Sequence, residues 1–171
     1  MRVAIIGSRL ITASEYELLT GWAEELTSKG HEVSTGAAPG ADTAAMDGAS
    51  VGDVTKLHVF LPWKSFSAGS IPKGAVVTVY NSNLHPEWTE SVRLHPKYYY
   101  LKKTVKPLHA RNYGIVAHPK PVDAVIALPR SLSDWGGTGQ GMRVAEHLGI
   151  TLYNLRVTGV IKEVDNWIHN L

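Results

Sequence analysis

The sequence predicts an α/β fold in which a parallel sheet is covered by helices on both faces. Its apolar runs are short and continuous rather than alternating, the form taken by strands buried on both sides. Between them lie segments of helical periodicity, or loops long enough to carry the chain back for a parallel pairing. With 171 residues, 44% of them apolar, the chain can bury one sizeable core, and a single domain over residues 1–171 is expected.

The first strand is Arg2-Val3-Ala4-Ile5-Ile6, closed by Gly7. Ser14 and Glu17 then fit an S-x-x-E capping box, and the helix they announce aligns Leu18, Leu19, Trp22, Ala23 and Leu26 before stopping near Gly30. A second strand over 32–35 runs into Gly36-Ala37-Ala38-Pro39-Gly40, and an alanine-rich helix over 41–50 follows, its small side chains suited to close approach to a sheet. Further strands are expected at 57–61, 76–80, 122–128 and 151–155, so that strand and helix alternate throughout with right-handed crossovers. Ile161, Val164, Ile168 and Leu171 lie at helical spacing and predict a closing helix. Between Leu84 and Lys120 the pattern is weakest, because Pro86, Pro96, Pro107 and Pro119 each interrupt helix or strand.

Composition narrows the function classes. A mean hydropathy of -0.07 with 19% charged residues is globular rather than disordered. No stretch approaches the roughly 20 apolar residues of a membrane span, and residues 1–7 are too short for a signal peptide, so a soluble cytoplasmic protein with no membrane partner is expected. The absence of cysteine excludes disulfides, thiolate metal sites and cysteine nucleophiles. Eight histidines are present, but they form no H-x-x-x-H or H-E-x-x-H pair, so no metal site is expected. Charge is unevenly distributed. Residues 91–122 hold seven Lys or Arg and no acid, leaving 10 basic against 15 acidic residues elsewhere. Such an asymmetry faces an anionic partner or is simply a solvated basic surface.

In an open parallel sheet, ligands bind beyond the carboxyl ends of the strands, where helix N-termini favour anions. Three loops have a suitable makeup: Gly7-Ser8-Arg9, the 36–40 loop, and Gly136-Gly137-Thr138-Gly139-Gln140-Gly141. Glycine lets the backbone approach a phosphate, and Ser8, Thr138 and Arg9 add donors. Each loop alone also reads as an ordinary turn, whereas together they point to a nucleotide or phosphate site. Neither G-x-G-x-x-G nor G-x-x-x-x-G-K-[ST] is present, which disfavours a dinucleotide or P-loop site, and no cofactor is expected.

Residues 2–9, followed by Ser34-Thr35-Gly36-Ala37-Ala38-Pro39-Gly40-Ala41-Asp42-Thr43-Ala44-Ala45, resemble the Rossmann-like core of the DNA-processing protein A family, within the SLOG superfamily. Its members show two apolar residues before G-S-R and then S-G-x-A-x-G-x-D-x-x-A. The match is specific over the first 50 residues; the Gly136–Gly141 loop extends it along most of the chain, with the middle poorly matched. The resemblance implies a nucleotide or single-stranded nucleic acid held over the carboxyl edge of the sheet, commonly in a homodimer or higher homo-oligomer. A sister branch, the LOG-type phosphoribohydrolases, is similar at Arg111 and at the glycine loop, where its pattern P-G-G-x-G-T-x-x-E carries a catalytic glutamate. Here Trp135 stands for the proline and Arg143 for the glutamate. An arginine can grip a phosphate but cannot act as a base near neutral pH, and Glu146 could replace the glutamate only if its helix were re-aimed.

The candidate phosphate-binding set is therefore Gly7, Ser8, Arg9, Gly36, Ala37, Gly40, Asp42, Arg111, Asn112, Gly136, Gly137, Thr138, Gly139 and Arg143, with no catalytic residue assigned. Asp42 reads either as a ribose or base-edge acceptor or as the N-cap of the 41–50 helix, and Arg111 as a ligand contact or an exposed arginine. Tyr98-Tyr99-Tyr100, among Lys97, Lys102, Lys103 and Lys106, has the ingredients of single-strand binding, or else of a buried face or subunit contact. The aromatic 61–66 loop reads as a base-stacking lid or a cover for the sheet edge. The expected function is nucleotide or single-stranded nucleic-acid binding. A nucleotide N-glycosidase and a protein that senses or sequesters a signalling nucleotide are the alternatives.

Overall fold

Along the first strand, Val3 and Ile5 point one way and Ala4 and Ile6 the other, and all four are buried. A strand apolar on both faces must be sandwiched, and the architecture follows from that requirement. The computed structural model describes residues 1–81 and 84–171. The strands are β1 (Arg2–Gly7), β2 (Glu32–Thr35), β3 (Leu57–Leu61), β4 (Val76–Val79), β5 (Ala124–Leu128) and β6 (Thr151–Asn154). The helices are α1 (Ala13–Ser28), α2 (Ala41–Val51), α3 (Lys106–Ala117), α4 (Gly139–His147) and α5 (Val160–His169). All neighbouring strands pair in parallel in the order β4-β3-β2-β1-β5-β6, with Val3 opposite Val33 and Ile5 opposite Ile126.

Two cores result. Val3 and Ile5 pack with Leu19, Trp22 and Leu26 of α1, the alanines of α2, and Val164 and Ile168 of α5. Ala4 and Ile6 pack with Ile115 and Val116 of α3 and Met142 and Val144 of α4. The small residues of α2 permit very close approach. A Cβ at Gly48 would lie 2.0 Å from the Thr20 carbonyl of α1, and one at Gly7 would lie 2.6 Å from the Ala41 Cβ.

Several local expectations are corrected. Thr12 and Glu15, not Ser14 and Glu17, form the capping box: Thr12 Oγ1 accepts from Glu15 N at 3.2 Å and Glu15 Oε2 accepts from Thr12 N at 2.7 Å. Both frames carry the right residues, and Ile11 preceding Thr12 packs on the core, which selects the earlier one. Alternation is incomplete, because β3 and β4 are joined through a 3-10 turn at Ala68–Ser70 with no α-helix. Pro86 and Pro107 begin helical segments rather than break them, since a missing N–H costs nothing in a first turn. In α5 the buried positions are Val164 and Ile168, while Ile161 is exposed, as is Leu171, which lies beyond the end of the helix. Among the described residues no helix is long and apolar enough to cross a membrane.

The strand order positions the site. From β1 the chain builds outward to β4, then returns to place β5 on the other side of β1. The loops leaving β1 and β5 therefore diverge, and a crevice opens between them at the carboxyl edge.

Candidate functional site

That crevice is a cleft of about 560 Å³, a volume in the range of small-ligand sites. Gly7, Ser8 and Arg9 form its β1 side, Arg130 and the Trp135–Thr138 turn its β5 side, and His109, Arg111 and Asn112 of α3 its wall. The loops are laced together, with Ser8 N donating to Leu128 O at 2.8 Å, Ala41 N to Ser8 O at 3.1 Å, and Asn112 Nδ2 to Gly137 O at 2.9 Å. The 3-10 turn Gly136–Thr138 runs directly into α4, and Thr138, the N-cap of that helix, lines the cleft.

At the base of the cleft Arg111 and Asp42 pair at 3.3 Å, each only 5% exposed. Asp42 also accepts from Ala38 N at 3.1 Å. Asp42 is consequently not the helix cap, a place taken by Gly40, and Arg111 is not an exposed arginine. Burial raises the Asp42 pKa and lowers that of Arg111, and in each case the partner's charge opposes the shift. Phe66 covers the guanidinium, whose carbon lies 5.8 Å from the ring centroid, so the aromatic loop shields this pair while Trp63 packs edge-on to Phe66 outside.

Gly36 makes the pair possible. A Cβ there would fall 1.4 Å from Arg111 Nη1, within the guanidinium itself. Gly40 has a φ of +85° and faces the Ser8 carbonyl at 2.4 Å from where a Cβ would stand, a conformation and a clearance that only glycine meets. Gly36, Ala37 and Gly40 therefore lie behind the lining and support it, while Ala38 reaches the cleft. Gly139 and Arg143 also sit behind it. The Arg143 guanidinium lies over the Trp135 ring at 5.6 Å.

Of the three arginines that line the cleft, Arg111 is paired with Asp42 inside it, and the other two lie at its β1 and β5 sides. Arg9 makes no ion pair among the described residues, and the exposed Arg130 pairs only with Asp134, at 2.7 Å. Asp42, held by Arg111, is the one carboxylate among the described lining residues. Glu146 is exposed and outside the lining. Buried polar atoms remain unpaired behind the wall: among the described residues Arg111 Nε and Arg143 Nη1 have no hydrogen-bond partner, nor does His109 Nδ1. Burial, then the neighbouring His95, Arg143 and Arg111, push the His109 pKa down to about 4, so its ring is neutral at physiological pH. His109 and Arg130 escape sequence reasoning. Arg130 carried a usable signal, following directly on a parallel strand at Leu128-Pro129, whereas nothing marks His109.

The basic segment lies apart. Tyr98 is buried beneath Lys106, whose Nζ stands 5.0 Å from the ring centroid, while Tyr99 and Tyr100 are 79% and 90% exposed beside exposed Lys97, Lys102 and Lys103. None of these tyrosines or lysines lines the cleft.

No family model matches the chain, and no curated protein matches it. Among solved structures, DNA processing protein A from Helicobacter pylori, described for its unique single-stranded DNA binding mode, aligns with a TM-score of 0.67. The alignment covers 99% of this chain and 79% of that one, at 19% sequence identity. At that identity the likeness is one of fold: a Rossmann-like α/β domain with an all-parallel six-stranded sheet.

Proposed function

We propose that this chain binds single-stranded nucleic acid, with a nucleotide unit in the switch-point cleft and its phosphate between Gly7-Ser8-Arg9 and Gly136-Gly137-Thr138. The carrying observation is the charge of the cleft: Arg9 makes no ion pair among the described residues, the exposed Arg130 pairs with Asp134 outside the lining, and the one described lining carboxylate, Asp42, is already held by Arg111. The fold shared with a single-stranded DNA-binding protein supports a polymer over a mononucleotide, as do Tyr99 and Tyr100, exposed as stacking surfaces among lysines. We assign binding rather than hydrolysis, because glycosidic cleavage needs a carboxylate at the ligand and Asp42 is sequestered. The expected setting is a cytoplasmic homo-oligomer.

The test is fluorescence anisotropy of a labelled oligothymidylate. Arg9→Ala should weaken binding by about 1.5–3 kcal/mol, the magnitude of a charge-assisted contact, with the circular dichroism spectrum unchanged. Equal affinity in wild type and folded variant would remove Arg9 and the cleft from the binding surface.

A further inference from the structure

On the far side of the second core, away from the cleft, three metal-ligand side chains converge from separate parts of the chain. His85 caps the 3-10 segment Pro86–Leu94, Glu87 lies in its first turn, and His118 caps the carboxyl end of α3. One ligand atom from each lies within 4.8 Å of both others. Glu87 Oε1 stands 3.6 Å from His85 Nδ1 and 3.3 Å from His118 Nδ1. Two ligands each about 2.0–2.1 Å from a tetrahedral zinc are separated by roughly 3.3–3.4 Å, close to the spacing of Glu87 from each histidine, and the two histidine ligand atoms lie within 4.8 Å of one another. The rings are held from outside: His85 stacks on Tyr80 at 4.4 Å with the planes 9° apart, and Tyr80 meets His118 edge-on at 5.3 Å.

A second observation points into the same corner. The Tyr80 side chain is fully buried, and its hydroxyl interacts with the Glu87 carboxylate but makes no hydrogen bond of regular geometry among the described residues. A water completing the coordination of an ion at this point would give the hydroxyl a well-aligned acceptor once Glu87 turns to the ion.

We propose that His85, Glu87 and His118 form a binding site for one zinc-class divalent cation, with a fourth, water-filled position beside Tyr80. Two imidazoles and a carboxylate suit zinc and its late first-row neighbours, and exclude a calcium- or magnesium-type site built from oxygen alone. The ion links the exit of β4, the 3-10 segment and the end of α3, and so fixes the root of the segment that carries Tyr99 and Tyr100. Spacing rules in sequence miss it because the ligands read H-x-E and then a single histidine 31 residues after the glutamate.

The full chain, stripped with a chelator and dialysed, is titrated with Zn²⁺ by calorimetry and with Co²⁺ by visible absorption. The expected result is one high-affinity equivalent, an intense tetrahedral Co²⁺ band, and a rise in Tm on adding Zn²⁺. Glu87→Gln keeps the size and hydrogen-bonding capacity of a half-exposed side chain, and with His118→Asn it should lower affinity at least tenfold and abolish both the band and the Tm shift. The exposed His147 and His169 serve as a control, and the double variant His147→Asn/His169→Asn should bind as wild type does. Absence of a stoichiometric site in the wild type overturns the proposal. So does binding that survives in folded Glu87→Gln and is lost in the control.

Discussion

The cleft and the tyrosine-lysine segment are both basic, yet they are built in opposite ways. In the cleft, Arg111 is seated on Gly36, paired with Asp42 and roofed by Phe66, so the wall is rigid before any ligand arrives. In the segment, Lys97, Lys102 and Lys103 stand in solvent on 3-10 turns and loops, while Tyr98, Leu101 and Lys106 tie it to the body. The first arrangement sets position and specificity through fixed donors; the second supplies long-range attraction that salt screens. The contrast predicts that substitutions in the buried Asp42–Arg111 wall damage fold and binding together, and that substitutions in the segment affect binding alone.

The largest expected effect tests the rigid half. Asp42→Ala strands a buried guanidinium and should destabilise the fold by about 3–5 kcal/mol in urea denaturation. Replacing both partners, as in Asp42→Ala/Arg111→Met, should recover part of that loss, since no charge is then left buried. A single variant as stable as wild type would mean that the pair is dispensable and the cleft wall soft.

The next effect is a pH dependence of stability. The folded His109 pKa, about 4, lies below its unfolded value near 6.5. The unfolded chain therefore takes up a proton first, and the contribution of His109 is full above pH 6.5 and lost as pH falls toward 4. That loss amounts to about 3 kcal/mol. Urea midpoints measured across this range should fall with pH in the wild type and flatten in His109→Gln. An unchanged slope would assign the acid sensitivity to other groups.

The smallest effect on the fold, and the one that sharpens the contrast, comes from Lys102→Glu/Lys103→Glu. Exposed charges of this kind leave stability within about 0.5 kcal/mol. Binding of a single strand should nevertheless weaken for every sequence. If four lysines engage, the log-log salt slope, near −3, should drop to about −1.4 when two of them are removed. Affinity for a mononucleotide should stay unchanged, because these side chains lie outside the cleft. No salt dependence in the wild type would reassign Tyr99 and Tyr100 to a subunit contact.

The amino-acid sequence by itself determined the class of fold and the edge of the sheet that matters. Runs such as Val3-Ala4-Ile5-Ile6 are apolar on both faces, and burial on both faces is nearly diagnostic of a parallel sheet under helices. Glycines placed directly after strands then mark the carboxyl edge. Local contests were harder. Thr12-Glu15 and Ser14-Glu17 overlap, and only packing of Ile11 on the core decides between them. Tertiary structure alone decided which glycines face the ligand side and which support it, that Asp42 and Arg111, 69 residues apart, neutralise one another, and that His85, Glu87 and His118 meet. The physical reason is common to all three. Periodicity and capping act over a few residues and are written locally, whereas a buried ion pair or a ligand cluster is a distance between chain segments that exists only once the sheet has set their order.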